Sequence, residues 1–273
     1  MRRWALTVPV AVVTLLFLLL PIVGIFVHTS PGRLLDQLSN PVVRDAFLVS
    51  IKTSLVAQAL IVLFGTATAY LLASRRFPGR SVAITLIELP LVLPPAVAGV
   101  GLLAALGRYG LLGSSLRAFG VTIPFTQSAV TIAVAYVASP LYIRQAIASF
   151  EATDPHLAAA SRTLGAGPAR TFFRVVLPLA RGGLIAGLAL SFARGLGEFG
   201  ATIMFAGSLQ RITQTLPLAI YAEFDRSFDA TLAMSGVLVV ISAVLLLALR
   251  IGLSWQRSPS STSRSLFGLS SSG

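Results

Sequence analysis

The sequence predicts an all-α integral membrane protein with six transmembrane helices, a long cytoplasmic loop and both termini inside. Three observations predict it. First, of 273 residues 55% are hydrophobic and only 11% charged, and the mean hydropathy is +0.86. A soluble domain carries about 25% charged residues, so this chain has too little polar surface to cover a globule in water. Second, six apolar stretches, residues 5–27, 46–73, 82–106, 127–150, 184–206 and 232–251, reach the roughly 20 residues needed to cross about 30 Å of hydrocarbon. Third, basic residues favour alternate loops. With the N-terminus inside, twelve arginines fall in inside segments, and six (Arg33, Arg44, Arg108, Arg117, Arg211 and Arg226) fall outside.

The first span follows Met1-Arg2-Arg3-Trp4 in the manner of a signal peptide. Its apolar run far exceeds the about 7–15 residues of a signal core, so a retained helix is expected. The second span carries Lys52, the single lysine beside 20 arginines. A snorkelling residue near the outer interface is the plain reading of Lys52, and attraction of anions to a vestibule is the alternative. A tight turn at 74–81 follows.

Leu89-Pro90-Leu91-Val92-Leu93-Pro94-Pro95 interrupts the third span with three prolines. Backbone groups freed there are tolerated only against protein or a water-filled path, unless the prolines make a simple kink. Arg144 in the fourth span and Glu88 in the third lie toward the inner leaflet, as structural partners.

Residues 151–183 form the longest inside connection, too polar to face lipid and too rich in alanine to be disordered. Ala158 to Leu164 is strong helix former, stopped by Gly165-Ala166-Gly167-Pro168. A second amphipathic stretch, Ala169 to Leu177, is expected to end at Pro178. Two short helices crossing at a glycine make a rigid knob below the membrane; an interfacial hairpin resting on headgroups fits the residues equally well.

The fifth span holds Arg194, Gly195, Gly197, Glu198 and Gly200. Beginning near Leu184, it would place Arg194 and Glu198 close to the bilayer centre, on one helix face and neutralising each other. The glycines serve either close helix packing or a pathway. Beyond the sixth span, the serine-rich residues 258–273 read as a disordered cytoplasmic tail, leaving 1–257 as one transmembrane domain.

Several chemistries are excluded. A net charge of +12 would suit nucleic acid if it formed one soluble patch, but apolar runs interrupt it, so no nucleic-acid partner is expected. With no cysteine there are no disulfides, thiolate metal sites or thiol nucleophiles. His28 and His156 are far apart, read as solvent-facing loop residues, and no carboxylate is spaced with them for a metal. Lys52 lacks the preceding glycines of an ATP-binding P-loop. No metal, catalytic residue or bound cofactor is expected.

The 151–183 segment resembles the cytoplasmic loop of binding-protein-dependent ABC importer permeases. Their pattern is Glu-Ala-Ala, three residues, Gly, nine residues, Ile, one residue, Leu-Pro. Here the register reads Ala159-Ala160-Ser161, Gly165, Val175, Leu177-Pro178, with Leu164 and Ala166 flanking the glycine. It departs from the pattern at Ala159, where relatives carry Glu, and at Ser161, where they carry Ala; Glu151 and Asp154 are out of register. The likeness spans roughly residues 45–255. Phe192–Gly207, with its Gly-Glu-Phe-Gly core, and Thr213-Gln214-Thr215-Leu216-Pro217-Leu218-Ala219-Ile220-Tyr221 look like the molybdate branch. Sulfate and thiosulfate permeases share the core and are less similar in its flanks.

The resemblance implies a non-catalytic permease of the cell membrane. A second copy of the chain completes the pathway, two ATPase subunits bind ATP-Mg and receive the coupling loop, and an extracytoplasmic oxyanion-binding protein supplies molybdate or tungstate. Sulfate or thiosulfate is the alternative cargo, and a stand-alone secondary transporter or channel the alternative of another class. The candidate pathway residues are Pro90, Pro94, Pro95, Arg194, Gly197, Glu198, Gly200 and Thr202.

Overall fold

A computed structural model describes residues 4–28, 32, 36–37 and 39–255. The expected tail at 258–273 lies outside these residues. The described elements are helical, in the order α1 (Trp4–His28), α2 (Pro41–Ser74), α3 (Arg80–Val92), α4 (Pro95–Leu106), α5 (Gly113–Ala118), α6 (Gln127–Glu151), α7 (Pro155–Thr163), α8 (Pro168–Leu196), α9 (Gly200–Ala206), α10 (Leu216–Glu223) and α11 (Phe228–Trp255).

Local chemistry sets the helix starts. The Asn40 side chain accepts from Val42 N–H with Pro41 at the first helical position, and Thr126 accepts from Ala129 N–H at the start of α6. α6 is the central helix, packed along α2 on one side and α8 on the other. Ala138, Tyr142, Ala146 and Phe150 of α6 meet Ile61, Ala69 and Leu72 of α2 and Ala180 and Leu184 of α8 in one apolar cluster. A second cluster joins Ala129, Val130, Ala133 and Val137 to Phe205 and Ala206 of α9, and a third joins Val43 and Ala46 to α10 and α11. At the other end of the bundle Arg80 binds the Glu151 carboxylate and donates from Nε to Leu72 O at 2.7 Å, fastening α2, α3 and α6 together.

Five described helices are long and apolar enough to cross a membrane, and six spans result if the bent pair α3–α4 counts as one. The expected third span, 82–106, is therefore not one rod: the chain bends by 114° between its halves. The break falls at Leu93-Pro94, and Pro90 stays inside α3. Two adjacent prolines remove successive N–H donors, and the residue before each is pushed into extended backbone, so no helix continues there.

The fifth span also differs from its expected bounds of 184–206. α8 starts at Pro168 and ends at Leu196, and residues 197–199 separate it from α9. Pro178 does not end the second amphipathic stretch. Phe172–Val176 forms a π turn in which Leu177 N–H donates to Phe172 O, five residues back. The widened turn makes room for the proline ring, which would otherwise clash with the Arg174 carbonyl. What the sequence presents as a second short helix of a knob is thus the first part of a long membrane helix.

Candidate functional site

Two regions hold the residues singled out above. At the first, α7 begins with Asp154 accepting from His156 N–H at 2.9 Å and Pro155 at the first helical position. It ends at Thr163 with Leu164 as its C-cap, and Gly165 takes φ +83°. Gly165 N–H donates to Arg162 O and Ala166 N–H to Ser161 O, a left-handed glycine cap that satisfies the last carbonyls of the helix. An atom added at Gly165 Cβ meets nothing within 4 Å, so the glycine is required by its backbone angle and not by a helix crossing. Across this turn the Ser161 and Thr171 hydroxyls lie 3.2 Å apart.

The outer side of α7 is bare. Leu157, Ala159, Ala160 and Leu164 are exposed, Leu164 at 87% of its surface. Val175, Leu177 and Pro178 lie within α8: Val175 and Leu177 are half-buried and Pro178 is exposed. An exposed leucine at the tip of a capped helix is a feature that a docked partner would cover.

The second region is where the two helix breaks meet. Gly200, first residue of α9, abuts Pro95, first residue of α4: an added Cβ would sit 2.6 Å from Pro95 Cβ. One turn along, a Cβ at Gly99 would sit 2.6 Å from Ala201 O and 2.8 Å from Met204 Cβ. Only glycine lets these two short helices approach so closely.

Arg194 and Glu198 form an ion pair as expected, Nη1 to Oε2 at 2.7 Å. Their setting differs from the expected one. Arg194 occupies the last turn of α8, and Glu198 lies past the end of that helix, so the two do not share a helix face. The carboxylate, 2% exposed as a residue, also accepts at Oε1 from Ala201 N–H at 2.8 Å. Glycine at 195, 197 and 200 lowers the helix preference, and a carboxylate that caps the next helix favours the break. Thr202 is fully buried, with no hydrogen-bond partner for its hydroxyl among the described residues. Gly197, Pro94 and Pro95 are exposed, and Pro90 is half-buried.

The structure brings Pro95, Gly200, Glu198 and Arg194 into one neighbourhood and leaves the α7 residues apart from it. Reading the sequence for motifs overlooked the buried polar side of α2. Ser50 accepts from Leu216 N–H at 2.7 Å, and Gln58 Nε2 donates to Ser191 Oγ of α8 at 2.8 Å. Ser50, Ser54 and Gln58 recur every four residues within an otherwise apolar span, a periodic polar stripe that was available to find them.

Other residues take plain roles. Arg144 Nε and Glu88 Oε1 are 3.6 Å apart on α6 and α3. Lys52 Nζ donates to Gln127 Oε1 at 2.8 Å in an exposed position. His28 and His156 are exposed but stand in helices, His28 closing α1 and His156 in the first turn of α7, not in loops.

Residues 61–256 match the sequence profile of the family described as binding-protein-dependent transport system inner membrane component. The molybdenum transport system permease protein ModB of Mycobacterium bovis is 40% identical over 239 residues, 87% of this chain and 90% of that one. The sulfate transport system permease protein CysT of Salmonella typhimurium is 35% identical over 240 residues, 86% of each. Among solved structures, a bacterial alginate ABC transporter in complex with an alginate pentasaccharide-bound periplasmic protein is similar, with a TM-score of 0.68. It is 15% identical, over 93% of each chain, and supports the fold alone.

Proposed function

The chain belongs to the binding-protein-dependent transport system inner membrane component family, and from that premise we propose that it is the permease of an ATP-driven molybdate importer. Its relatives are non-catalytic membrane subunits, which disfavours a stand-alone carrier or channel. The observation that carries the molybdate reading is the 40% identity to a molybdenum permease along nearly the whole chain.

In this reading the pathway is completed by a second copy, with both termini cytoplasmic in the cell membrane. ATP-Mg is bound and hydrolysed on two separate ATPase subunits. α7, bare at Leu157, Ala159, Ala160 and Leu164, seats in those subunits, and their closure moves α7 with the adjoining α8. Because α8 is one helix from Pro168 to Leu196, a displacement at α7 reaches the Arg194–Glu198 break through about 40 Å of helix. Rigid-body rocking of this kind exposes the pathway to each side in turn. The Arg194–Glu198 pair keeps that region near neutrality, so a dianion is not held too tightly to leave.

A sulfate importer is the second reading, favoured by the 35% identity to a sulfate permease. Deleting the gene distinguishes them. Loss of molybdoenzyme activity at trace molybdate, recovered at high molybdate, is the expected result. A sulfur requirement with intact molybdoenzymes would instead assign sulfate.

A further inference from the structure

At the end of the bundle where Arg80 binds Glu151, α7 does not close against the membrane helices. A cleft of about 780 Å³ lies between α7 and the ends of α2 and α6. Its floor is apolar, formed by Tyr70 and Ala73 of α2, Phe150 of α6 and Val176 of α8. The Tyr70 ring packs 5.5 Å from Phe150 and 4.6 Å from Phe172, centre to centre, so the floor is held in place before any ligand arrives. Ala158 and Ala159 give the cleft a wall of small side chains on α7.

Arg76, Arg80 and Arg162 also line the cleft, against the two carboxylates of Glu151 and Asp154. These charges are not equally engaged. Arg80 is bound to Glu151 and to Leu72 O, and Asp154 caps α7 by accepting from His156 N–H. Among the described residues neither Arg76 nor Arg162 has a carboxylate within salt-bridge distance. Ala159, at the glutamate position of the family pattern, adds no negative charge to the α7 wall. The depth of the cleft follows from α2, whose 34 residues make about 50 Å of helix. That exceeds the roughly 40–45 Å of a bilayer with its headgroups, so the last two turns of α2, with Tyr70 and Ala73, lie at headgroup level. From there the cleft runs to Arg162, near the C-terminal end of α7.

We propose that this cleft holds the headgroup of an anionic phospholipid, with Arg76 and Arg162 on its phosphate and its glycerol end over Tyr70 and Ala73, bracing α7 against α2. Arginine pairs with phosphate in bidentate fashion, and basic pockets between membrane helices suit such headgroups. Free phosphate shares that chemistry. The apolar floor and the headgroup-level depth favour a lipid, because a small anion uses neither. An acidic side chain of an ATPase subunit would engage the arginines but leave the floor uncovered. The inference requires a membrane-spanning chain and no particular cargo, so it stands apart from the molybdate reading.

The test titrates the full complex, the permease with its ATPase subunits, with phosphatidylglycerol in detergent, and counts bound lipid by native mass spectrometry. Phosphatidylcholine is the reference. Wild type is expected to bind phosphatidylglycerol about tenfold more tightly or better. Arg76→Gln with Arg162→Gln, at exposed positions that carry no helix contact, is expected to remove that preference. Ala159→Glu, which puts a carboxylate on the cleft wall, is expected to weaken it about threefold or more. Arg170→Gln with Arg174→Gln removes the same charge from exposed positions of α8 outside the cleft, and is expected to keep the preference. Loss of the preference in both double variants, or in neither, overturns the proposal. Displacement of the lipid by excess inorganic phosphate at constant ionic strength assigns the arginines to a free anion and also overturns it. So does phosphatidylglycerol binding that emerges only once the ATPase subunits are stripped away, which would assign the arginines to that interface.

Discussion

Ser161 on α7 and Thr171 on α8 hold their hydroxyls 3.2 Å apart across the Gly165 turn, at a position where the family pattern has alanine in place of serine. Thr171 is fully buried, so Ser161→Ala removes a partner that water cannot easily replace. The expected loss is about 1 kcal/mol, seen as a lower Tm of the purified protein. Adding Thr171→Val should recover most of it. A double variant less stable than Ser161→Ala would show that the two hydroxyls are not coupled.

Gly165 separates backbone strain from crowding. Its φ of +83° disfavours any β-branched side chain by roughly 1–2 kcal/mol, although open space surrounds it. Gly165→Val is expected to uncouple uptake from ATP hydrolysis while the chain still inserts, and Gly165→Asn to retain most uptake, because asparagine visits this conformation. Equal uptake in the two variants would argue that the turn has no part in coupling.

The α4–α9 contact carries its own control. Gly200→Ala places a methyl 2.6 Å from Pro95 Cβ, whereas Gly101→Ala on the same α4 meets nothing within 4 Å. Overpacking of this kind costs about 1–3 kcal/mol, so Gly200→Ala should lower Tm and uptake together, with Gly101→Ala near wild type. Matching behaviour of the two would deny the close approach of the helix breaks.

Glu198 serves both the Arg194 guanidinium and the Ala201 N–H. Glu198→Gln leaves Arg194 without its counter-charge, and because Arg194 is about a third exposed, solvent reduces the penalty to about 1–3 kcal/mol. The double change Arg194→Gln with Glu198→Gln should assemble better than the single one. Equal or worse assembly would dissolve the pairing argument.

Neighbouring positions at the α8–α9 break should also differ in access. In a chain without native cysteine, a cysteine at exposed Gly197 should react with a membrane-impermeant thiol reagent at a rate that changes with ATP state. A cysteine at buried Glu198 should be protected. Protection of both in every state would remove the break from the pathway.

Helix class, the approximate places of the spans and the spacing of the α7 segment were legible in the sequence because each depends on residues near one another in the chain. Hydropathy over a window reports desolvation directly, and Asp154, Pro155 and Gly165 act within one helical turn. Where the membrane helices break was legible only in part. The Pro94-Pro95 pair announces its break, but Pro90 and Pro178 look alike in sequence to prolines that end helices, and both remain inside one. Whether a proline ends a helix depends on whether the turn before it can widen while neighbours hold both halves in place, as α6 holds α8. Likewise, the sequence determined that Arg194 and Glu198 would pair, since four residues separate them. Only the tertiary structure decided that Glu198 would leave the helix to cap α9, that Gly200 would meet Pro95, and that Gln58 would find Ser191 133 residues away. Those contacts join segments far apart in the chain, and their free energy appears only once packing has excluded the alternatives.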